Sequence, residues 1–195
     1  AFDVMGDIIL STAAQQYGGF TVPEVDKILA PYAKKSYDKY ISEFMKYSDE
    51  SWSGREERAI EYALDKVRRD YDQGWQGIEY KLNTVGSSRG DYPFVTVTLG
   101  LGTEQFEKMC TISLLEVHQG GQGKAGHKKP VLFPKIVFLY DKEIHGPGKC
   151  CEDIFEAGVE CSSKTMYPDW LSMSGAGYIS SMYRKYKKVI SPLGC

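Results

Sequence analysis

The stretch PFVTVTLGLGTEQFEKMCTISLLEV, residues 93–117, decides the fold class of this chain. Its opening part, Phe94 to Leu99, is rich in β-branched residues, which predicts a strand. Gly100 and Gly102 follow, and the periodic run from Thr103 to Val117 predicts a helix. A strand that turns directly into a helix is the repeating unit of α/β folds with parallel sheets.

The same alternation continues on both sides of this stretch. Val131 to Tyr140 is an almost continuous apolar run, as expected for a strand buried on both faces, and a helix of about Glu152 to Lys164 follows it. Residues 174–187 fit neither pattern. Upstream, a long predicted helix carries apolar residues at spacings of three and four: Ile60, Leu64, Val67, Tyr71, Trp75, Ile78 and Leu82. The chain therefore predicts one α/β domain.

Two helix starts are predicted from capping boxes, in which a hydroxyl residue precedes an acidic residue by three positions. Thr21 with Glu24 predicts the start of the second helix, and Ser53 with Glu56 predicts the start of the long helix. Pro31 predicts a kink or a restart within the second helix, because proline removes a backbone donor.

The composition favours a globular protein that binds no polyanion. Its 24 basic and 26 acidic residues give a net charge of −2, without the basic excess of nucleic-acid-binding domains. No window approaches the ~18 consecutive apolar residues of a membrane span, and no signal-peptide pattern opens the sequence. Five irregularly spaced cysteines favour reduced thiols over a disulfide framework. We therefore expect a cytoplasmic protein with no membrane and no direct nucleic-acid partner.

Both ends of the sequence predict that the chain is part of a longer protein. It opens without Met, inside an amphipathic run of helical period. It closes at Pro192-Leu193-Gly194-Cys195, a turn signal that follows an extended segment and leads to no further element.

Two familiar nucleotide-binding motifs are incomplete. Gly100-Leu101-Gly102 lies where a dinucleotide-binding fingerprint would begin, but the position of the third glycine holds Gln105. Gly120–Lys124 is glycine-rich, yet a P-loop would need glycine in place of His118 and a hydroxyl residue in place of Ala125. A tight strand-to-helix turn and a surface loop are the plainer interpretations.

Most histidines and cysteines predict no chemistry of their own. The three histidines fall in predicted loops without the spacing of zinc motifs: His118, His127 and His145. Cys110 and Cys161 fall within helical patterns and are predicted to be packed thiols. The sequence therefore predicts no metal site in this chain.

Two other cysteine positions are candidates for chemistry. Cys150 and Cys151 are adjacent, as in the active centre of some glycyl-radical acyltransferases, but their neighbours predict an exposed loop entering a helix. Cys195 ends a turn formed by residues 191–194, where proline fixes one backbone angle and glycine permits a close approach. A thiol at such a tip reaches whatever cavity the turn enters; the alternative is an incidental thiol.

A series of short motifs, in the same order and over nearly the whole chain, resembles the anaerobic (class III) ribonucleoside-triphosphate reductases. The motifs are Gln16-Tyr17-Gly18-Gly19, Asp26-Lys27-Ile28-Leu29-Ala30-Pro31-Tyr32, Asn83-Thr84 with Ser87-Ser88, Pro93 to Val97 with Gly100 to Thr103, Phe133-Pro134-Lys135, Glu160-Cys161, Lys164, Met166 to Asp169, and Ser191-Pro192-Leu193-Gly194-Cys195.

The resemblance implies a ten-stranded α/β barrel of two parallel five-strand halves, with a finger loop threaded through its centre. Residues 1–195 would be a fragment of that catalytic barrel. Because the Ser-Pro-Leu-Gly-Cys turn matches the tip of the finger loop, Cys195 is the candidate thiyl radical. It would abstract the 3′ hydrogen of a ribonucleoside triphosphate and later return it, which leads to a deoxyribonucleoside triphosphate.

Two loops are similar to the family's regulatory loops. The loop from Tyr17 to Thr21, which begins with Tyr17, Gly18 and Gly19, matches the one near the dimer interface that senses an effector nucleotide. Residues 85–92 match the loop between effector and substrate base, where Ser87, Ser88 and Arg89 could supply hydroxyls and one positive charge. Polar turn residues without a role are the alternative for this second loop.

The resemblance also implies groups and partners that lie beyond this chain. A glycyl radical, installed by an S-adenosylmethionine-dependent iron–sulfur activase, and a zinc site are expected in a C-terminal part, and no cofactor is expected here. Substrate nucleoside triphosphates, ATP or dNTP effectors, the activase and a second copy of the protein are the expected partners.

Two other functions stay open. The chain could be a non-catalytic nucleotide-binding or interaction module, or part of another glycyl-radical enzyme that uses Cys150 and Cys151. This pair interrupts a loop that usually reads Asp-Pro-Asn-Tyr in the family.

Overall fold

The computed structural model describes residues 1–86 and 90–193. Within these ranges the strands are β1 Phe20–Val22, β2 Val95–Leu99, β3 Lys135–Tyr140 and β4 Asp169–Ser172. The helices there are α1 Phe2–Gln15, α2 Val25–Tyr47, α3 Arg55–Thr84, α4 Gln105–Gly120, α5 Lys142–His145, α6 Glu152–Thr165 and α7 Tyr178–Tyr186.

The strands form one parallel sheet in the order β1-β2-β3-β4. Each crossover is helical: α2 and α3 connect β1 to β2, α4 connects β2 to β3, and α5 and α6 connect β3 to β4. The α/β class and the parallel crossovers predicted from residues 93–117 are confirmed.

The crossover helices pack on one face of the sheet, which we call the helix side. Val95, Val97 and Leu99 of β2 point to this side, as do Ile136 and Phe138 of β3, because alternate residues of a strand face the same way. They meet buried residues of the helices: Ile9, Leu29, Val67, Trp75, Leu114 and Ile154. Burial of this apolar surface is the main favourable term in folding.

The opposite face, which we call the α7 side, carries a smaller apolar cluster. Its buried members are Leu101, Val137, Leu139 and Met173. Partly buried residues from β4, α7 and the chain after α7 pack against them: Leu171, Ile179, Tyr183 and Val189. The last described part of the chain therefore runs across the face that the crossover helices leave free.

The long helix α3 follows its predicted stripe from Val67 to Leu82, which are both buried. At its start the stripe differs, because Ile60 is 46% exposed while Ala59 and Ala63 are buried in its place. Helix α2 is continuous through Pro31, so the predicted restart does not occur.

Both predicted capping boxes are wrong. Thr21 lies in β1, where pairing with β2 fixes it, and Glu24 precedes α2 with a left-handed φ of 44° and no side-chain cap. Helix α3 begins after Gly54, whose φ of 68° suits glycine, and not after Ser53. A capping box does form at Glu104, which precedes α4.

Candidate functional site

Three threonines line β1 and β2 on the α7 side of the sheet. Thr96 and Thr98 alternate with the β2 residues that face the helices, and both are fully buried. Thr21 of β1 is paired with Thr96 in the sheet register. Threonine suits a strand because it is β-branched, and its hydroxyl gives this face a polar strip for another segment to contact.

The segment after α7 makes hydrogen bonds to this strip. The Thr21 hydroxyl donates to the Pro192 carbonyl at 2.8 Å, and the hydroxyls of Thr98 and Ser191 lie 3.2 Å apart. Thr98 also accepts a hydrogen bond from the backbone N–H of Glu24 at 2.9 Å. These bonds join the two strands, the start of α2 and the segment that contains Ser191.

Cys195, the predicted radical site, lies outside the described residues, as does Gly194. The chain is described up to Leu193, which is 47% exposed and follows directly on the docked Pro192. The structure therefore places Ser191 and Pro192, which directly precede the last three residues of the sequence, against β1 and β2.

The turn between β2 and α4 is held by a buried carboxylate. Asp26 Oδ2 accepts the backbone N–H groups of Gly100 at 3.0 Å and Gly102 at 3.2 Å, and Oδ1 accepts that of Lys27. Burial raises the pKa of Asp26, while these three backbone N–H groups oppose the increase. Gly100 has a φ of 111°, and a Cβ there would come within 3.2 Å of the Leu139 carbonyl oxygen, so no other residue fits well.

His145 holds the same turn from the other side. Its Nδ1 accepts the Asp141 N–H at 2.9 Å, so its proton is on Nε2, which donates to the Gly100 carbonyl at 2.7 Å. Burial lowers the pKa of His145. The turn predicted from Gly100 and Gly102 is thus a rigid junction at the carboxyl end of β2.

An open groove of about 850 Å³ lies at the other end of β1 and β2. The first predicted regulatory loop, at Tyr17, Gly18 and Gly19, forms one wall. The opposite wall comes from residues that flank the second loop: Val85, Gly86, Asp91 and Tyr92. Phe94 and Phe133 also line the groove, with ring centroids 5.4 Å apart.

The groove brings the two predicted loops together, although their key side chains are described only in part. Tyr17 is 99% exposed at the rim. Ser87, Ser88 and Arg89 lie outside the described residues. Aromatic rings with a few polar groups are a common lining for sites that bind small molecules.

The remaining cysteines are divided between the core and the surface. Cys110 and Cys161 are buried, as predicted, and burial raises the pKa of each thiol. Cys150 is exposed, but Cys151 is fully buried, so the prediction of an exposed loop holds for only one of the pair. Both lie at the start of α6.

A buried hydrogen bond between a histidine and a carboxyl group was missed at the sequence level. His118 lies in α4, not in a loop, and its Nδ1 is 2.9 Å from Glu79 Oε1 in α3, with both side chains buried. Gln122 donates to the other Glu79 oxygen at 3.2 Å. The predicted loop position of His145 is also wrong, because it ends α5 and is buried.

Neither metal binding nor membrane insertion finds support in residues 1–86 and 90–193. No group of three or more His, Cys, Asp or Glu side chains in these ranges could hold a metal ion. Among the helices of the same ranges, none is both long enough and apolar enough to cross a bilayer.

Comparison with known proteins identifies relatives along the full length of the chain. The family described as anaerobic ribonucleoside-triphosphate reductase matches residues 1–195. The enzyme of that name from Enterobacteria phage T4 is 35% identical over 196 residues, which cover 98% of this chain and 30% of the phage protein. Those from Salmonella typhimurium and Escherichia coli are 33% and 32% identical, over 98% of this chain and 25% of each relative. The chain thus spans less than a third of the length of these relatives.

Proposed function

The chain belongs to the anaerobic ribonucleoside-triphosphate reductase family, and on this premise we propose that it is part of a catalytic barrel that reduces ribonucleoside triphosphates by thiyl-radical chemistry. The observation that carries the proposal is the docking of Ser191 and Pro192 on the threonine strip of β1 and β2. Cys195 follows this docked segment in the sequence.

The arrangement of the sheet supports a barrel in the longer protein. Its strands follow in sequential order, and all crossover helices pack on one face. In open doubly wound sheets the order reverses and helices cover both faces, whereas in barrels the order is sequential and the helices form an outer ring. We propose that the helix side is the outside of the ten-stranded barrel and the α7 side is its interior.

In this proposal Cys195 carries the radical and exchanges one hydrogen atom with the substrate. The C3′–H bond of the ribose breaks as an S–H bond forms on Cys195, and the reverse exchange later returns the hydrogen. The contribution of this chain is to place the thiol and to keep water away from the substrate radical. The buried Thr96 and Thr98 and the cluster around Met173 provide a largely closed, partly apolar wall.

We assign the remaining parts of the machinery to the full-length protein and its partners. A glycyl radical, installed by a radical-SAM activase, would supply the unpaired electron, and zinc would bind elsewhere in the protein. The proposed compartment is the cytoplasm, and the proposed assembly is a homodimer.

The groove between the two loops is the proposed route by which effector and substrate affect each other. Its walls come from Tyr17–Gly19 and from both flanks of the Ser87–Arg89 segment. A dNTP or ATP effector that contacts the first wall would shift the second, which we propose faces the substrate base. The exposed ring of Tyr17 is suited to stacking on a base.

The test uses the full-length protein, activated under anaerobic conditions. Cys195→Ser should lower turnover at least about 1,000-fold, equivalent to about 4 kcal/mol, while the glycyl-radical yield and nucleotide binding stay normal. Cys150→Ser is the matched control, because this thiol is exposed on the helix side, and it should retain turnover.

Normal turnover in Cys195→Ser would contradict the proposal. Loss of turnover in Cys150→Ser instead would favour the alternative radical enzyme, and nucleotide binding without deoxynucleotide formation by any variant would favour a non-catalytic module.

A further inference from the structure

Cys150 and Cys151 form a thiol pair that the proposed radical chemistry does not use. They lie at the start of α6, on the helix side, so the sheet separates them from the segment that contains Ser191. Their sulfur atoms are 3.7 Å apart. Cys150 is exposed, whereas Cys151 is fully buried in the helix-side core. The pair therefore combines one accessible thiol with one protected thiol in contact with it.

The surroundings give the two thiols different reactivity. Burial, followed by the neighbouring Cys150, raises the pKa of Cys151 to about 12, and its sulfur lies 3.7 Å from the Gly102 carbonyl oxygen. Lys108 of α4 donates to the Cys150 carbonyl at 2.7 Å and pairs with Asp153 at 2.8 Å. Because Cys150 is the exposed thiol of the pair and the raised pKa keeps Cys151 from forming the reactive thiolate, a reagent from solvent reacts with Cys150 first.

We propose that Cys150 and Cys151 are a reversible dithiol modification site whose reagents are low-molecular-weight disulfides. This inference goes beyond ribonucleotide reduction and does not depend on it. The Cys150 thiolate attacks one sulfur of the reagent, a mixed disulfide forms, and the released thiolate takes up the proton that Cys150 lost. Cys151 then attacks the Cys150 sulfur, the bond to the reagent breaks, and a second thiol leaves with the Cys151 proton. In total, two cysteine thiols are oxidised and one reagent disulfide is reduced to two thiols.

The closeness of the two sulfur atoms allows the second step, although the raised pKa makes Cys151 a weak nucleophile. The sulfur atoms must approach from 3.7 Å to a bond length of about 2.05 Å, and rotation of the exposed Cys150 side chain can supply this movement. Holding two reactants in contact can lower the activation free energy by several kcal/mol. Closure is therefore slower than the first attack, but the contact between the two sulfur atoms allows it.

The closed form opens easily when thiols are in excess. Adjacent Cα atoms are only ~3.8 Å apart, which is shorter than the span that disulfides usually bridge. A strained, surface-accessible disulfide is readily reduced. The pair therefore changes between its dithiol and disulfide forms as the ratio of thiols to disulfides in solution changes, and it does not form a permanent disulfide.

The experiment treats the reduced full-length protein with oxidised glutathione, alkylates the remaining thiols and cleaves after glutamate. The peptide 144–152 then contains this pair and none of the other cysteines of the chain. At the end point it should lack two hydrogen atoms and carry no glutathione, and excess reduced glutathione should restore both thiols. Cys151→Ser should keep glutathione on Cys150, Cys150→Ser should leave Cys151 unmodified, and Cys161→Ser is the matched control with normal closure.

Three results would overturn the proposal: an unmodified wild-type peptide, glutathione still on Cys150 of the wild type at the end point, or modification of Cys151 in the Cys150→Ser protein. Phenylarsine oxide gives a second measurement that does not need Cys151→Ser to fold, because the reagent bridges two neighbouring thiols. The wild type should hold one more equivalent than Cys150→Ser, and equal binding would count against the pair.

Discussion

Asp26 shows how one buried carboxylate can organise the junction between strand and helix. It lies in the first turn of α2, yet its oxygens accept the N–H groups of Gly100 and Gly102 in the turn after β2. His145 binds the carbonyl of the same Gly100. Both backbone groups of Gly100 therefore have side-chain partners, which fixes the turn at the end of the strand that carries Thr98.

We expect Asp26→Ala to lower the free energy of unfolding by about 2–4 kcal/mol, because two buried N–H groups would lose their acceptor. Asp26→Asn should cost less, since its amide oxygen can still accept from Gly100 and Gly102. Urea titration of the three proteins measures the difference. Equal losses in both variants would mean that the two hydrogen bonds contribute nothing.

The pH dependence of the same residue follows from the direction of its shift. Because the pKa of Asp26 is raised above its ordinary value of 3.8 in the folded state, the folded protein binds more protons than the unfolded chain above that value. Its contribution to stability is present below pH 3.8 and is lost as the pH rises through the folded pKa. Asp26→Asn removes this slope, which urea titrations across the acidic range would detect.

At the residue level the sequence predicted packing better than buried polar chemistry. Cys110 and Cys161 follow from helical period alone, whereas Asp26 looks like an ordinary acidic residue in a first helical turn. Glu79 did carry a signal, since it shares the spacing of the buried Trp75, Ile78 and Leu82. Its partner His118 could not be inferred, because the two residues are 39 positions apart in the sequence and lie in different helices.

At the scale of elements, long periodic segments were predictable and short ones were not. The strand β2 and the helix α3 depend on their own sequence pattern, and both were predicted nearly to their ends. The strands β1 and β4 have three and four residues, and α7 has nine. Their conformation depends on sheet pairing or on the cluster around Met173, which a local pattern does not contain.

The junction of the first loop with β1 depends on a glycine that permits close approach. A Cβ at Gly19 would lie 2.7 Å from the Phe94 carbonyl oxygen and 2.6 Å from its ring, whereas one at Gly18 would meet nothing within 4 Å. The same carbonyl accepts the N–H of Phe20 as β1 begins. Bulk at position 19 therefore forces β1 and β2 apart at the edge of the groove.

We expect Gly19→Ala to lower the free energy of unfolding by about 1–3 kcal/mol, in line with overpacking elsewhere. Gly18→Ala is the neighbouring control and should change it by less than about 0.5 kcal/mol. Thermal or urea unfolding of the two variants gives the comparison. A similar loss in both would place the cause in loop flexibility and not in the contact with Phe94.

At the scale of the whole molecule, the two faces of the sheet differ in how much they bury. The helix side contains most of the buried apolar residues, contributed by α1, α2, α3, α4 and α6. The α7 side depends on the four buried residues of its cluster and on a few hydrogen bonds from Thr21, Thr98 and Ser180. Parts with few buried contacts open first, so α7 and the segment after it should open while the rest of the sheet stays folded.

Two core truncations can distinguish this hierarchy from all-or-none unfolding. Ile154 is fully buried on the helix side and Met173 is buried on the α7 side, and truncation of either to Ala should cost about 2–5 kcal/mol.

If α7 opens by itself, Ile154→Ala lowers the stability of the folded and the partly open states equally. Amide exchange should then accelerate in α3 and α4 but stay unchanged in α7. Met173→Ala should accelerate exchange in all three helices, because its contacts are lost in both kinds of opening. Equal acceleration of α7 by Ile154→Ala would mean that the two faces unfold as one unit, and that the segment leading to Cys195 cannot move independently of the sheet.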